Sequence, residues 1–273
     1  MRKAINKADI AELRTIFCNR IEQINPDACL ALSGGVDSLT VLFSMLEAGR
    51  KPDCVTFHVD GIESADLLSS RNIARAFGLN LKEIVIPNDV DTIYQDVKRI
   101  IPHCEHIKKT IIQCMHPWLY IYPEIEGRTI VTGMGGDDLY ANQRKLRVSV
   151  SKHGEESIKS SRKVYSNDLR FSGANIARFG KLYDVENIDF YLCKEIEDWF
   201  LQFESLSLYK PYEKYPSVAA FRDYYDKGRF YRKHSSYQTN SKLKNVHDKL
   251  LYSKYNKRGH KAIIGLYNEM AKG

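Results

Sequence analysis

The sequence predicts an α/β fold in which helices cover both faces of a parallel sheet. Short apolar runs typical of buried strands alternate with longer stretches in which apolar residues recur at helical spacing. Two of the apolar runs end in loops rich in glycine and aspartate. Parallel strands are joined by long, mostly helical crossovers, so this alternation favours a parallel sheet. Ligands of such sheets bind at the carboxyl ends of the strands.

In chain order, an amphipathic N-terminal segment (residues 1–27) predicts a surface helix. Residues 28–145 are expected to form the α/β core that carries both glycine-rich loops. The strands of this core are expected at residues 28–32, 54–59, 81–86 and 129–132, with helices at residues 64–77 and 90–101 between them. Residues 146–170, rich in Ser, Lys and Arg, predict a mobile loop, with a solvated linker as the alternative. Residues 171–273 predict a helical C-terminal part of the same domain.

The composition limits the class of protein. The chain has 273 residues, of which 43% are hydrophobic, enough for a sizeable core. No apolar stretch is long enough to span a membrane, and residues 1–25 lack the apolar block of a signal peptide. The cysteines form no CxxC pair, which favours reduced thiols. These features predict a cytoplasmic protein without membrane contact.

The loop at residues 33–38, with the sequence SGGVDS, follows the first strand and precedes a helical pattern. Its glycines let an anion approach the main chain, and unpaired N–H groups at the start of the helix point at that anion. Ser33 and Ser38 add hydroxyl donors. Asp37 would repel a phosphate unless a divalent cation lies between them. The loop therefore predicts a polyphosphate together with Mg²⁺.

A second loop at residues 133–138, with the sequence GMGGDD, follows the strand at residues 129–132. Three glycines and two carboxylates at a strand end again suggest polyphosphate and metal, and the pairing with the first loop strengthens this interpretation. The chain contains no Walker GxxxxGK[ST] motif and no GxGxxG after the first strand. A Walker-type ATPase and a dinucleotide-binding fold are therefore excluded.

These motifs resemble those of the N-type ATP pyrophosphatases (the PP-loop superfamily), and within it the synthetase domain of asparagine synthetases and β-lactam synthetases. The likeness lies in SGGVDS, in the strand and polar turn of residues 56–61, in the helix of residues 66–77 with Ala74 and Ala76, and in GMGGDD. It implies a five-stranded sheet like that of the adenine nucleotide alpha hydrolases. It also implies that ATP is split into AMP and pyrophosphate while a carboxylate is adenylated for attack by an amine.

The resemblance further implies roles for single residues. Asp37 and Asp137 would hold Mg²⁺ against the pyrophosphate, and residues on the first two strands would line the adenosine pocket. A lysine late in the family's chain contacts the α-phosphate, and Lys233 is similar in position, with Arg232 as the weaker candidate. The ATP-binding residues implied in this way are Leu32, Ser33, Gly34, Gly35, Asp37, Ser38, Phe57, His58, Val59, Gly133, Gly135 and Asp137.

Two departures from the family pattern affect the expected reaction. The loop position that is Glu in asparagine synthetases and Tyr in the β-lactam branch is Met134 here, and a thioether cannot move a proton. We therefore expect a base from elsewhere and name His58 and His234, the second of which lies beside Lys233. The sequence holds no glutaminase domain, so free ammonia, another amine or a separate partner is expected to supply the nitrogen.

Other functions stay open at this point. Basic residues and tyrosines are interleaved over residues 209–233, which suits RNA as well as ATP. An RNA-modifying pyrophosphatase of the tRNA or deazaguanine type is therefore one alternative, although nucleic acid is not the favoured partner, and a non-catalytic ATP-binding module is another. A group of residues could also supply Zn²⁺ ligands, with ordinary loop packing as the default interpretation. These residues are His103, Cys104, His106, Cys114 and His116.

Overall fold

The computed structural model describes residues 4–141, 144–162, 172–232, 237–256 and 260–272. Its centre is a five-stranded sheet with the order β3-β2-β1-β4-β5, in which every pair of neighbours is parallel. The strands are β1 (Cys29–Ala31), β2 (Cys54–Val59), β3 (Leu81–Ile86), β4 (Thr129–Thr132) and β5 (Glu186–Asp189). The predicted fold class is confirmed.

Helices connect the strands and form the C-terminal region. The α-helices are α1 (Lys7–Glu22), α2 (Val36–Glu47), α3 (Ala65–Phe77), α4 (Val90–Ile100), α5 (Lys109–Met115), α6 (Trp118–Ile121), α7 (Gly136–Leu139), α8 (Arg144–His153), α9 (Ser172–Gly180), α10 (Lys194–Leu201), α11 (Tyr215–Ala220), α12 (Arg222–Gly228), α13 (Tyr237–Asn240), α14 (Leu243–Tyr255) and α15 (His260–Lys272). Short 3-10 helices lie at Ile101–His103, Tyr122–Ile125, Glu155–Arg162, Lys181–Tyr183 and Ser205–Tyr209.

The two faces of the sheet carry two separate hydrophobic cores. On one face, Leu30 and Val131 pack with residues of α1, α2, α10, α11 and α12. On the other face, Cys29 and Ile130 pack with residues of α4, α5, α6, α9, α14 and α15. Neighbouring residues of β1 and β4 therefore point to opposite cores, as the period-two geometry of a strand requires. Burial on both faces explains why these strands are continuous apolar runs.

Strand β5 was not expected, because residues 171–273 were predicted to be helical. It carries polar residues and lies at the edge of the sheet, beside β4. Two of its carboxylates accept hydrogen bonds from threonines of β4: Thr129 donates to Glu186 at 2.9 Å and Thr132 to Asp189 at 2.6 Å. A strand in which three of four residues are polar lacks the apolar signal by which a strand is predicted.

The segment predicted as a loop at residues 146–170 is helical over its described part. It contains most of α8 and the 3-10 helix Glu155–Arg162. Arg162 is buried and donates to the carbonyl oxygens of Phe203 at 2.6 Å and Phe200 at 2.8 Å. These bonds tie the 3-10 helix to the end of α10. Residues 163–171 lie outside the described residues, and the mobility of the segment stays a prediction.

A buried polar network joins the C-terminal helices to α4 and α5. The Nε2 atom of His116 lies 3.0 Å from Asp96 Oδ2, and its Nδ1 atom lies 3.1 Å from His247 Nε2. His247 in turn lies 2.6 Å from the hydroxyl of Tyr267 on α15. Both histidine side chains are fully buried. Burial, together with His116 and Lys109, holds the pKa of His247 well below its ordinary value.

Two of the residues considered above as zinc ligands, Cys104 and His116, have other partners in the structure. His116 is committed to Asp96 and His247, and Cys104 Sγ contacts Met115 Sδ at 3.4 Å. Within the described ranges, no three His, Cys, Asp or Glu side chains form a group that could hold a metal ion on this pattern. Loop and core packing therefore accounts for these residues. None of the helices in the described part of the chain combines the length and apolar character needed to cross a bilayer.

Candidate nucleotide site

The first glycine loop connects β1 to α2 and is held by its own hydroxyl groups. The Oγ atoms of Ser33 and Ser38 lie 3.2 Å apart, and Ser38 Oγ donates to the Gly35 carbonyl at 3.1 Å. Gly34 has φ +68°, and a Cβ there would meet Ser69 Oγ at 2.2 Å. Only glycine fits this position. The loop therefore presents the N-terminus of α2, a 12-residue helix, at the carboxyl edge of the sheet.

The second glycine loop lies directly against the first. A Cβ on Gly133 would meet the carbonyl carbon of Asp37 at 2.7 Å and the Ser38 nitrogen at 2.8 Å. A Cβ on Gly136 would meet Asp37 Oδ1 at 2.7 Å. Strands β1 and β4 are adjacent, so the two loops end at the same edge and come into backbone contact. Gly133 and Gly136 are required by this close approach.

Lys214 joins the carboxylates of the two loops. Its Nζ atom lies 2.5 Å from Asp37 Oδ2 and 2.6 Å from Asp137 Oδ1. The lysine side chain is 3% exposed, whereas those of Asp37 and Asp137 are 19% and 45% exposed. The lysine approaches from the protein interior. Asp137 is exposed to solvent on its other side, whereas the second oxygen of Asp37, Oδ1, is buried against Gly136 of the second loop.

Sequence reasoning missed Lys214. It is one basic residue in a run of lysines and tyrosines, and it becomes recognisable only when the fold brings it to Asp37, 177 residues away in the chain. Burial alone would lower the pKa of Lys214, but the carboxylates of Asp37 and Asp137 outweigh burial and raise it. The lysine is therefore a charged ammonium at neutral pH.

Buried tyrosines form the wall behind this ion pair. Tyr140, Tyr191 and Tyr225 are each at most 2% exposed, and burial raises the pKa of all three well above the ordinary value. Lys214 Nζ lies 5.7 Å from the centre of the Tyr140 ring. Tyr140 donates to Ser217 Oγ at 2.6 Å, which fixes α11 and with it Lys214. Charges beside such a wall interact strongly because little water surrounds them.

The residues expected at the adenosine pocket differ in accessibility. Leu32 and Val59 are buried, each in a different core, so only their main chains could reach a nucleotide. Phe57 and His58 are partly exposed near the carboxyl end of β2. His58 Nδ1 lies 3.3 Å from the carbonyl oxygen of Val59. The adenosine assignment stays a prediction for all four residues.

Asp189 lies beside the Met134 position. Thr132 Oγ1 donates to Asp189 Oδ1 at 2.6 Å and accepts a bond from the Met134 nitrogen at 3.1 Å. A Cβ on Gly173 would lie 3.0 Å from Asp189 Oδ2 and 3.8 Å from Met134 Cε, so all three line the same space. Burial raises the pKa of Asp189 above its ordinary value, with the bond from Thr132 acting in the opposite direction. Sequence reasoning missed Asp189, because β5 was not predicted.

Comparison with known families agrees with this geometry. The profile of the family described as asparagine synthase matches residues 23–199. The chain belongs to the asparagine synthase family. The matched range contains both glycine loops and Asp189, and it ends before Lys214. The resemblance inferred from the two motifs is confirmed, and membership supports an ATP-utilising synthetase.

No curated protein matches the sequence significantly. Among solved structures, the chain is similar to the NMN synthetase from Francisella tularensis, with a TM-score of 0.36 and 12% identity. That match covers 93% of this chain and 96% of the other.

The donor set fits Mg²⁺, the metal expected for this family. Carboxylate oxygens are the ligands this ion prefers, and those of Asp37 and Asp137 already converge on one cation, the Lys214 ammonium. The exposed side of the Asp137 carboxylate leaves room for phosphate and water ligands. The assignment of these two residues to Mg²⁺ stays a prediction.

The expected catalytic pair Lys233 and His234 lies outside the described residues, and their roles stay predictions. The chain just before them is anchored at the first loop: Arg232 donates to the Ser33 carbonyl at 3.2 Å and to Asp66 Oδ1 at 2.8 Å. Arg232, the weaker candidate for the α-phosphate contact, is thus engaged with the loop's main chain and with α3.

The basic, tyrosine-rich tail is only partly a surface. The rings of Tyr224 and Tyr225 pack against Phe43 with centroids 5.0 and 5.1 Å away. On α12, Arg222 pairs with Asp226 at 2.9 Å, and Lys227 lies over the ring of Tyr224. Much of the pattern that suggested RNA therefore belongs to the core or to local ion pairs.

Proposed function

We propose that this chain is an ATP-dependent ligase that splits ATP into AMP and pyrophosphate. In this reaction a carboxylate substrate attacks the α-phosphate, and ammonia or another amine then displaces AMP from the adenylate. The observation that carries the proposal is the contact between the two glycine loops, where Asp37 and Asp137 converge on one cation. Membership of the asparagine synthase family supports the use of ATP.

The loops would bind the leaving pyrophosphate. The N–H groups at the start of α2 would donate to its oxygens. The hydroxyls of Ser33 and Ser38, which bond to each other and to the Gly35 carbonyl in this structure, would turn toward the pyrophosphate to donate as well. Asp37 and Asp137 would hold Mg²⁺, whose charge stabilises the pyrophosphate as it separates from the α-phosphate. The buried tyrosine wall keeps water from one side of the site and strengthens these interactions.

Asp189 is suited to accept the proton that the amine loses. As the amine nitrogen bonds to the acyl carbon, the bond from that carbon to the AMP oxygen breaks, and an N–H proton must leave. The Asp189 carboxylate lies beside Met134, the position that carries a proton-moving side chain in related synthetases. Its raised pKa makes it a stronger base than an ordinary aspartate. His58 and His234 remain alternatives for the same role.

The test is an analysis of the products formed from ATP. Purified protein with Mg²⁺ and radiolabelled ATP is incubated with a panel of carboxylates, with and without ammonium. The proposal expects AMP and pyrophosphate to appear with at least one carboxylate. Release of ADP and phosphate would contradict it, and release of AMP and pyrophosphate only with tRNA would select the RNA-modifying alternative.

A further inference from the structure

We propose that Lys214 is a tethered cation that occupies the metal position between Asp37 and Asp137 until a nucleotide arrives. A divalent cation then binds this site together with ATP and not before it. The inference rests on the proposed function for the identity of the nucleotide, but its metal-binding part can be tested without catalysis.

The contacts of Lys214 use the carboxylate oxygens that a divalent cation would need. Its ammonium takes one oxygen of each carboxylate, at 2.5 Å from Asp37 and 2.6 Å from Asp137. A divalent cation that used the same oxygens would lie against the ammonium and be repelled by it. As long as Lys214 stays in place, the pair of carboxylates is a poor site for a free metal ion.

Burial makes the ammonium dependent on these carboxylates. The Lys214 side chain is 3% exposed, so moving it away from Asp37 and Asp137 toward the interior would leave a buried charge without compensation. The released lysine therefore needs another anion close by. The phosphates of ATP, bound at the adjacent N-terminus of α2, are such an anion.

Lys214 can make this exchange without a change in the main chain. It stands at the N-terminal end of α11, which Tyr140 holds through bonds to Ser217. The four-carbon stem of a lysine is flexible, so the ammonium can turn from the carboxylates to a phosphate while α11 stays in place. Nucleotide and metal then favour each other, and thermodynamic linkage requires that the coupling be reciprocal.

The experiment measures Mn²⁺ binding by electron paramagnetic resonance, with and without α,β-methylene-ATP, an analogue that resists cleavage at the α-phosphate. The variants are Lys214→Met, which removes the charge, and Lys210→Met as the matched control on an exposed lysine of the same segment. We expect the wild type and Lys210→Met to bind Mn²⁺ at least about tenfold more weakly than Lys214→Met when no nucleotide is present. With the analogue, the difference should shrink or vanish.

Two additional variants test where Mn²⁺ binds and guard against misfolding of Lys214→Met. The double variant Lys214→Met/Asp137→Asn should lose the Mn²⁺ site that Lys214→Met gains. If Lys214→Met does not fold, as judged by circular dichroism, Lys214→Gln serves instead. Should the wild type bind free Mn²⁺ as tightly as Lys214→Met or Lys214→Gln, Lys214 does not compete with the metal and the inference is wrong. Failure of the wild type to bind the analogue at all would instead contradict the proposed function.

Discussion

Gly133→Ala tests whether the two glycine loops touch as described. The added Cβ would lie 2.7 Å from the Asp37 carbonyl carbon and 2.8 Å from the Ser38 nitrogen. Carbon contacts normally lie at about 3.5–4.0 Å, so the loops would have to separate by roughly 0.7 Å or more. Backbone atoms on both sides cannot rotate away, and overpacking of this kind costs about 1–3 kcal/mol.

This cost should appear in nucleotide binding. ATP binding requires the two loops to lie close together. In Gly133→Ala, closing them costs the overpacking energy, so the affinity for the ATP analogue should fall about 5- to 150-fold. The assay is calorimetric titration with α,β-methylene-ATP and Mg²⁺, with thermal melting on the same samples. Gly265→Ala is the control, because its Cβ would meet nothing within 4 Å on the exposed face of α15. It should raise stability by up to about 1 kcal/mol and leave affinity unchanged. Unchanged affinity and melting in Gly133→Ala would refute the contact between the loops.

Three further predictions concern titratable residues. Asp37→Asn should lower the rate of pyrophosphate release by more than tenfold, which corresponds to about 1.4 kcal/mol of barrier, with the fold retained. In a double-mutant cycle this loss should not add to the loss caused by Asp137→Asn, and additive losses would indicate separate roles. Asp189→Asn should slow amine transfer but leave carboxylate-dependent exchange of pyrophosphate into ATP unchanged, and equal losses in both assays would exclude it as the base. The lowered pKa of His247 means that the unfolded chain binds a proton near pH 6.5 which the folded protein does not. The contribution of neutral His247 to the free energy of unfolding is therefore complete above about pH 6.5 and falls by up to about 1.4 kcal/mol per pH unit below it. This slope should flatten in His247→Gln when unfolding is measured with urea at several pH values.

Local sequence patterns were sufficient for four strands and both loops. Strands β1 to β4 are apolar runs, and the glycines at positions 34 and 133 mark places where only a backbone without Cβ fits. Strand β5 escaped prediction because three of its four residues are polar, and two of them bond to threonine hydroxyls of β4. Asp189 was missed with it.

Long-range contacts account for the remaining surprises. Lys214 meets Asp37 only through the packing of α11 behind the first loop, and nothing in its own surroundings distinguishes it from the other lysines of the tail. In the same way, His116 looked like a metal ligand among nearby cysteines and histidines. Its actual partners are Asp96 and His247, and His247 is 131 residues away in the chain. Such pairings depend on tertiary structure and cannot be read from spacing.

The products of ATP cleavage test the central claim most directly. ATP labelled at the α- and γ-phosphates is incubated with the wild type, Mg²⁺ and the carboxylate panel, and in parallel with Asp37→Asn. We expect labelled AMP and labelled pyrophosphate with the wild type and loss of both with Asp37→Asn. Labelled ADP and phosphate, or AMP and pyrophosphate that survive Asp37→Asn undiminished, would contradict it.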